Sequence, residues 1–154
     1  MTKTLVEGRM KLPEYVTKAE VQRVCAELGI SDWTRKKKAE VSLDEAKKVF
    51  AHVPKKGLDV TLEDFCAGLA VELEHGIVFK QYNVTNNHPI LTGMIVMAHF
   101  MESLDYYKLL EVAELEGDLV KAIAAGDMAK TKSKYARMTR ARIELSEAEA
   151  KRIA

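Results

Sequence analysis

Residues 61–76 read TLEDFCAGLAVELEHG and residues 89–102 read PILTGMIVMAHFME. In the first stretch Thr61 is followed three residues later by Asp64, the pattern in which a side-chain oxygen caps the free amides of a first helical turn. Leu62, Phe65, Cys66, Leu69, Val71 and Leu73 then spread around most of the helix circumference, which marks a central helix. In the second stretch Pro89 suits the first helical position after Asn86-Asn87-His88. The helix it opens is expected to run to about Glu116 and carries the most hydrophobic part of the chain. Two such helices in succession predict an all-α fold, a compact helical bundle around an antiparallel pair spanning about 61–75 and 89–116. Gly76 offers a stop to the first helix, and residues 77–88 form the connection.

Outward from this pair, Thr17 with Glu20 and Ser42 with Glu45 repeat the capping pattern. Val21, Val24, Cys25 and Leu28 recur at helical spacing until Gly29, and a second short helix is expected from Ser42 to about His52. Residues 31–39, which include Arg35-Lys36-Lys37-Lys38, read as an exposed connection, and Pro54-Lys55-Lys56-Gly57 as a break. Beyond the pair, Gly117 and Gly126 punctuate the chain. Residues 128–150 then read as a basic, weakly amphipathic helix with Tyr135, Met138, Ile143 and Leu145 as its apolar positions. The expected organisation is an N-terminal helical segment (1–57), the core pair (58–116) and a basic C-terminal helix (117–154).

The composition agrees with this class. The 154 residues are 47% hydrophobic with one Trp and four Phe, a balance that favours helices packed by aliphatic side chains over a β-sandwich. No apolar run approaches the roughly 20 residues that span a bilayer. Met1-Thr2-Lys3-Thr4 lacks the regions of a secretory signal, so a cytoplasmic location is expected. Cys25 and Cys66 form no Cys-x-x-Cys pair, which argues against a thiolate metal site or a redox dithiol and for small core residues. There is no Gly-rich phosphate loop, no Gly-x-Ser-x-Gly elbow and no Cys and His spaced as nucleophile and base, so hydrolysis by an activated serine or cysteine is not expected. Residues 117–154 hold nine Lys or Arg against five Asp or Glu, so a nucleic-acid surface, if there is one, belongs to the C-terminus.

One pattern has chemical content. Glu72-x-x-His75 and His99-x-x-Glu102 are mirrored, and residues three apart share a helix face. On antiparallel helices the two motifs can converge as two imidazoles and two carboxylates, a mixed nitrogen and oxygen set that suits Zn, Fe(II) or Mn(II). The condition is geometric. His99 lies ten residues into its helix, so the 77–88 connection must climb roughly 15 Å past the end of the preceding one. Gly68 and Gly93 can permit close helix approach. Thr92 and Tyr106 fall on the stripe of His99 and Glu102, where they can orient a ligand, and Asp105 can add a further one. His99 sits inside MIVMAHFM, where a polar ring must find a partner; a structural hydrogen bond from Glu72 or Glu102 would meet that need without metal. His88 is expected to cap the helix or lie at the surface.

The segments Val71-Glu72-Leu73-Glu74-His75-Gly76, Asn83-Val84-Thr85-Asn86, Pro89-Ile90-Leu91-Thr92-Gly93 and Ala98-His99 with Glu102, followed by Asp105-Tyr106-Tyr107, resemble a family of small uncharacterised bacterial and phage proteins, catalogued as a domain of unknown function. The resemblance covers roughly residues 58–110, leaving the N-terminal helices and the C-terminal helix outside. It supplies no activity. It implies that Glu72, His75, Thr92, Gly93, His99 and Glu102 belong to a recurring pattern, which this chain leaves at Asn87-His88, where the pattern usually has an acid.

Three functions compete at this level. In the first, Glu72, His75, His99 and Glu102 hold a divalent transition metal, in one chain or in a homodimeric four-helix bundle with a dinuclear site, and open coordination positions permit oxygen or hydrolytic chemistry. In the second, a non-enzymatic binding or structural module uses residues 128–152 on nucleic acid or protein, through Lys130, Lys132, Lys134, Arg137, Arg140 and Arg142. In the third, a small organic ligand sits between the helices.

Overall fold

The hydroxyl-and-acid pairs at Thr17, Ser42 and Thr61 each start a helix. Thr17, Ser42 and Thr61 accept hydrogen bonds from the backbone amides of Glu20, Glu45 and Asp64 and open α1 (Lys18–Leu28), α2 (Leu43–Phe50) and α3 (Leu62–Val78). Ser42 and Glu45 form the full reciprocal box. Gly29 ends α1 in the left-handed conformation, where a side chain would be strained. The computed structural model describes residues 13–154. Among them are three further helices, α4 (Pro89–Glu102), α5 (Tyr106–Ala124) and α6 (Met128–Ile153), and no strand. No helix among the described residues is long and apolar enough to cross a membrane.

Helices α1 to α4 share one core in which Val21, Trp33, Val49, Phe65, Leu69 and Val96 are wholly buried. Trp33 corrects the reading of residues 31–39 as an exposed connection: it sits in a short 3₁₀ turn, Trp33–Arg35, and its ring is fully covered. Glu45 holds this turn by accepting from the Trp33 indole and from Ser31, while Lys36 reaches both the Glu45 carboxylate and the Glu40 carbonyl. Cys25 is buried in the core and Cys66 half-buried beside it; both are free thiols.

The single helix expected from Pro89 to Glu116 is in fact two. Ser103 is extended (φ −158°, ψ 133°), and its hydroxyl accepts from the Asp105 amide at 3.1 Å, which stabilises a turn in place of continued helix. After the break, α5 absorbs Gly117 in its interior and runs on to Ala124. Gly126, left-handed at φ 66°, turns the chain into α6, which Asp127 caps. Helices α5 and α6 form a hairpin with a small apolar seam of Leu115, Met138 and Ala141. Ion pairs from Lys134 to Asp118, Arg142 to Glu116 and Arg152 to Asp105 run along it.

Candidate functional site

Where α3 meets α4, the contacts run in antiparallel order: moving up α3 from Gly68 to Gly76 moves down the partner segment from Val96 to Asn87. Both glycines are required by closeness. A Cβ on Gly68 would lie 2.7 Å from Val96 and 2.8 Å from the Tyr107 ring; one on Gly76 would lie 2.1 Å from the Asn87 side-chain oxygen. Gly93 gives α4 the same proximity to Val49 and Phe65. Gly76 therefore does not stop α3; it makes room for the loop that follows.

That loop does not climb. Asn83 and Asn87 fold it back against Gly76: the Asn83 amide donates to the Gly76 carbonyl (3.2 Å) and to the Asn87 side chain (3.0 Å), and the buried Asn87 reaches the Trp33 carbonyl. Asn86 and Asn87 are both left-handed, a conformation asparagine tolerates better than most residues. His88 then caps α4 with Nδ1 accepting from the Leu91 amide, and burial pushes its pKa down, which keeps that nitrogen free to accept. The consequence is a register in which His75 lies level with the first turns of α4. It is exposed, its ring stacks against Phe79, and it shares an open cleft of about 350 Å³ with Glu72, Thr92 and Ile95.

Glu72 bridges the shift diagonally. Its Oε1 lies 3.4 Å from His99 Nε2 and accepts a hydrogen bond from the Tyr107 hydroxyl at 2.8 Å. Glu102, one turn along α4, places Oε2 4.0 Å from the opposite ring nitrogen, His99 Nδ1. Nδ1 is buried and has no hydrogen-bond partner among the described residues. Tyr106 stacks flat on the His99 ring, centroids 4.1 Å apart and planes 9° apart, while Tyr107 meets the same ring edge-on. The break at Ser103 makes this possible, because seven residues of uninterrupted helix would separate Tyr106 from His99 by about 10 Å along the axis. Burial first, and then the Glu72 carboxylate, push the Tyr107 phenol well above its usual pKa, so it acts as a donor to Glu72.

The sequence-expected residues therefore divide. Glu72, His99, Glu102 and Tyr106 form one group; His75 and Thr92 line the cleft beside Glu72 without facing His99. The buried Thr92 hydroxyl donates to the His88 carbonyl. Asp105 belongs elsewhere: it is buried and held bidentately by Arg152, whose hydrogen bonds keep its pKa below the usual carboxylate value. Tyr107, Asn83 and Asn87 were not anticipated. A tyrosine seven residues after Phe100 on an apolar stripe, with a hydroxyl in need of a partner, was the available signal for the first. Among the described residues no three His, Cys, Asp or Glu side chains gather closely enough to hold a metal ion as they stand.

No match exists among curated proteins or among solved structures. A family model described as a protein of unknown function (DUF5661) matches residues 21–116. This is wider than the 58–110 resemblance, for a physical reason: α1 and α2 supply Val21, Trp33 and Val49 to the core that α3 and α4 close. The match covers most of the chain, takes in every residue of the His99 cluster and leaves out α6, and the chain belongs to the DUF5661 family.

Proposed function

We propose that the protein binds one divalent transition metal ion at Glu72, with His99 Nε2 and His75 as the other protein ligands and Glu102 as the carboxylate that orients His99. The observation that carries this reading is the setting of the His99 ring. It is half-buried in an apolar helix, each nitrogen faces a carboxylate, and Nδ1 has no hydrogen-bond partner among the described residues. A histidine ligand binds through one nitrogen and presents the other to a carboxylate. Two ligands at a tetrahedral angle with bonds of about 2.1 Å stand about 3.4 Å apart, which matches the separation of Nε2 from Glu72 Oε1. His75 is exposed one turn from Glu72 and can turn in from the cleft wall. The set of two imidazoles and one carboxylate suits Zn, Fe(II) or Mn(II) and leaves coordination open toward the cleft. A cytoplasmic location is proposed with it, supported by the two cysteines, Cys25 and Cys66, being free thiols.

Elemental analysis of protein purified without a His tag tests this, against His75→Ala/His99→Ala. About one ion per chain that the double variant loses is the expected result; equal trace metal in both refutes the proposal. The nucleic-acid reading has weaker support, because Lys134, Arg137, Arg142 and Arg152 face acids of their own chain. Salt-sensitive retardation of DNA or RNA would restore it.

A further inference from the structure

Helix α6 carries a second face that nothing among the described residues covers. Met138 and Ala141 turn toward α5, whereas Ala136, Thr139, Ile143, Ser146, Ala150 and Ile153 recur at alternating steps of three and four residues and are all exposed. That is the seam spacing of a coiled coil. Ile143 is 55% exposed and Ile153 89%, and the strip around Ile143 lies open between Tyr135, Arg142 and Glu147. Such a seam could admit several occupants. The charges that flank it choose among them.

With the seam as positions a and d, Arg142 and Glu149 fall at g, and Arg140 and Glu147 at e. When two copies of one helix pack antiparallel, g faces g and e faces e across the seam, with each a residue opposite a d residue. Centred between Ile143 and Ser146, such a pairing sets Arg142 against Glu149 of the other copy and Arg140 against its Glu147, each twice by two-fold symmetry. Ile143 then packs over the small Ser146, and Thr139 over Ala150. Every flanking charge meets its opposite. Arg140, Glu147 and Glu149 form no ion pair among the described residues, and Arg142, about half exposed, holds Glu116 through Nη2 alone, leaving donors for a second carboxylate.

We infer that α6 is a self-association surface on which a second copy of this chain docks antiparallel, joining two α5–α6 hairpins into a four-helix bundle. The inference is independent of the metal proposal, since no residue is shared.

The test is sedimentation equilibrium of the full chain over a concentration series. Wild type is expected to show a monomer–dimer equilibrium. Arg140→Glu/Arg142→Glu is expected to weaken it at least about tenfold, because four attractive pairs become four like-charge pairs. Glu147→Lys/Glu149→Lys does the same alone, and a mixture of the two variants restores a dimer, which rules out misfolding as the cause. Glu149→Lys singly fixes the direction: it weakens an antiparallel dimer and leaves a parallel one unchanged, since in the parallel arrangement Glu149 has no opposite charge. A wild type monomeric at every concentration, variants that dimerise normally, or a mixture that stays monomeric overturns the inference.

Discussion

The α1–α4 body and the α5–α6 hairpin are both helical, and they are held together by different physics. The first buries Trp33, Phe65, Leu69 and Leu73 almost completely; the second buries Leu115, Met138 and Ala141 and lines its edges with exposed ion pairs. Burial of a large side chain contributes several kcal/mol, an exposed pair a fraction of one. Stability therefore resides in the body. The hairpin keeps its shape through a thin seam and the Arg152 to Asp105 contact, and its remaining surface is left for other uses.

The largest expected effect is at the centre of the body. Phe65 touches Phe50 and closes on Gly93, so Phe65→Ala should destabilise by about 3–5 kcal/mol in urea unfolding. The same measurement on Met138→Ala should fall near 2 kcal/mol, because the hairpin can collapse onto the gap. Equal losses would erase the distinction between the two regions.

A smaller effect comes from Glu45, whose polar contacts tie the Trp33 turn into the body. Burial alone would raise its pKa, yet hydrogen bonds from Ser31, the Ser42 amide and Trp33, with the Lys36 charge, bring it to about 2. Because the folded value lies below the ordinary 4.5, the stabilisation is complete above pH 4.5 and is lost as pH falls toward 2. Glu45→Gln should cost on the order of 2 kcal/mol at pH 7, and wild type and variant should converge in acid unfolding below that window. A difference that stays constant with pH would contradict it.

The smallest effect is expected in the hairpin. Arg137 and Glu111 stand 3.9 Å apart and are each about half exposed, so Arg137→Gln should change stability by less than about 0.5 kcal/mol, vanishing in high salt.

Local chemistry is what the sequence discloses well. The caps at Thr17, Ser42, Thr61 and His88 and the stop at Gly29 act within a few residues, and each is where the side-chain types place it. Long-range decisions are hidden. Nothing between Pro89 and Glu116 stands out as a break: the local bond from the Asp105 amide to Ser103 is one that many helical serines could make, and the arginine that holds Asp105 lies 47 residues further on. Gly76 looks like a helix stop but is a space for Asn87, and only the folded loop reveals it. The same loop sets the register that joins Glu72 to His99 and places His75 on the wall of the cleft beside Glu72. A polar ring in an apolar run drew attention to His99, which the structure sets between Glu72 and Glu102, while Tyr107 required knowledge of the break.

The central claim, that His99 serves a metal through Nε2 while Nδ1 keeps its proton, is most directly tested by observing imidazole nitrogen resonances during titration with Zn(II). The account predicts a large shift of His99 Nε2 and of one His75 nitrogen, with His99 Nδ1 remaining protonated, saturating at one equivalent. His99 nitrogens that do not move, or zinc bound at Nδ1, would contradict it.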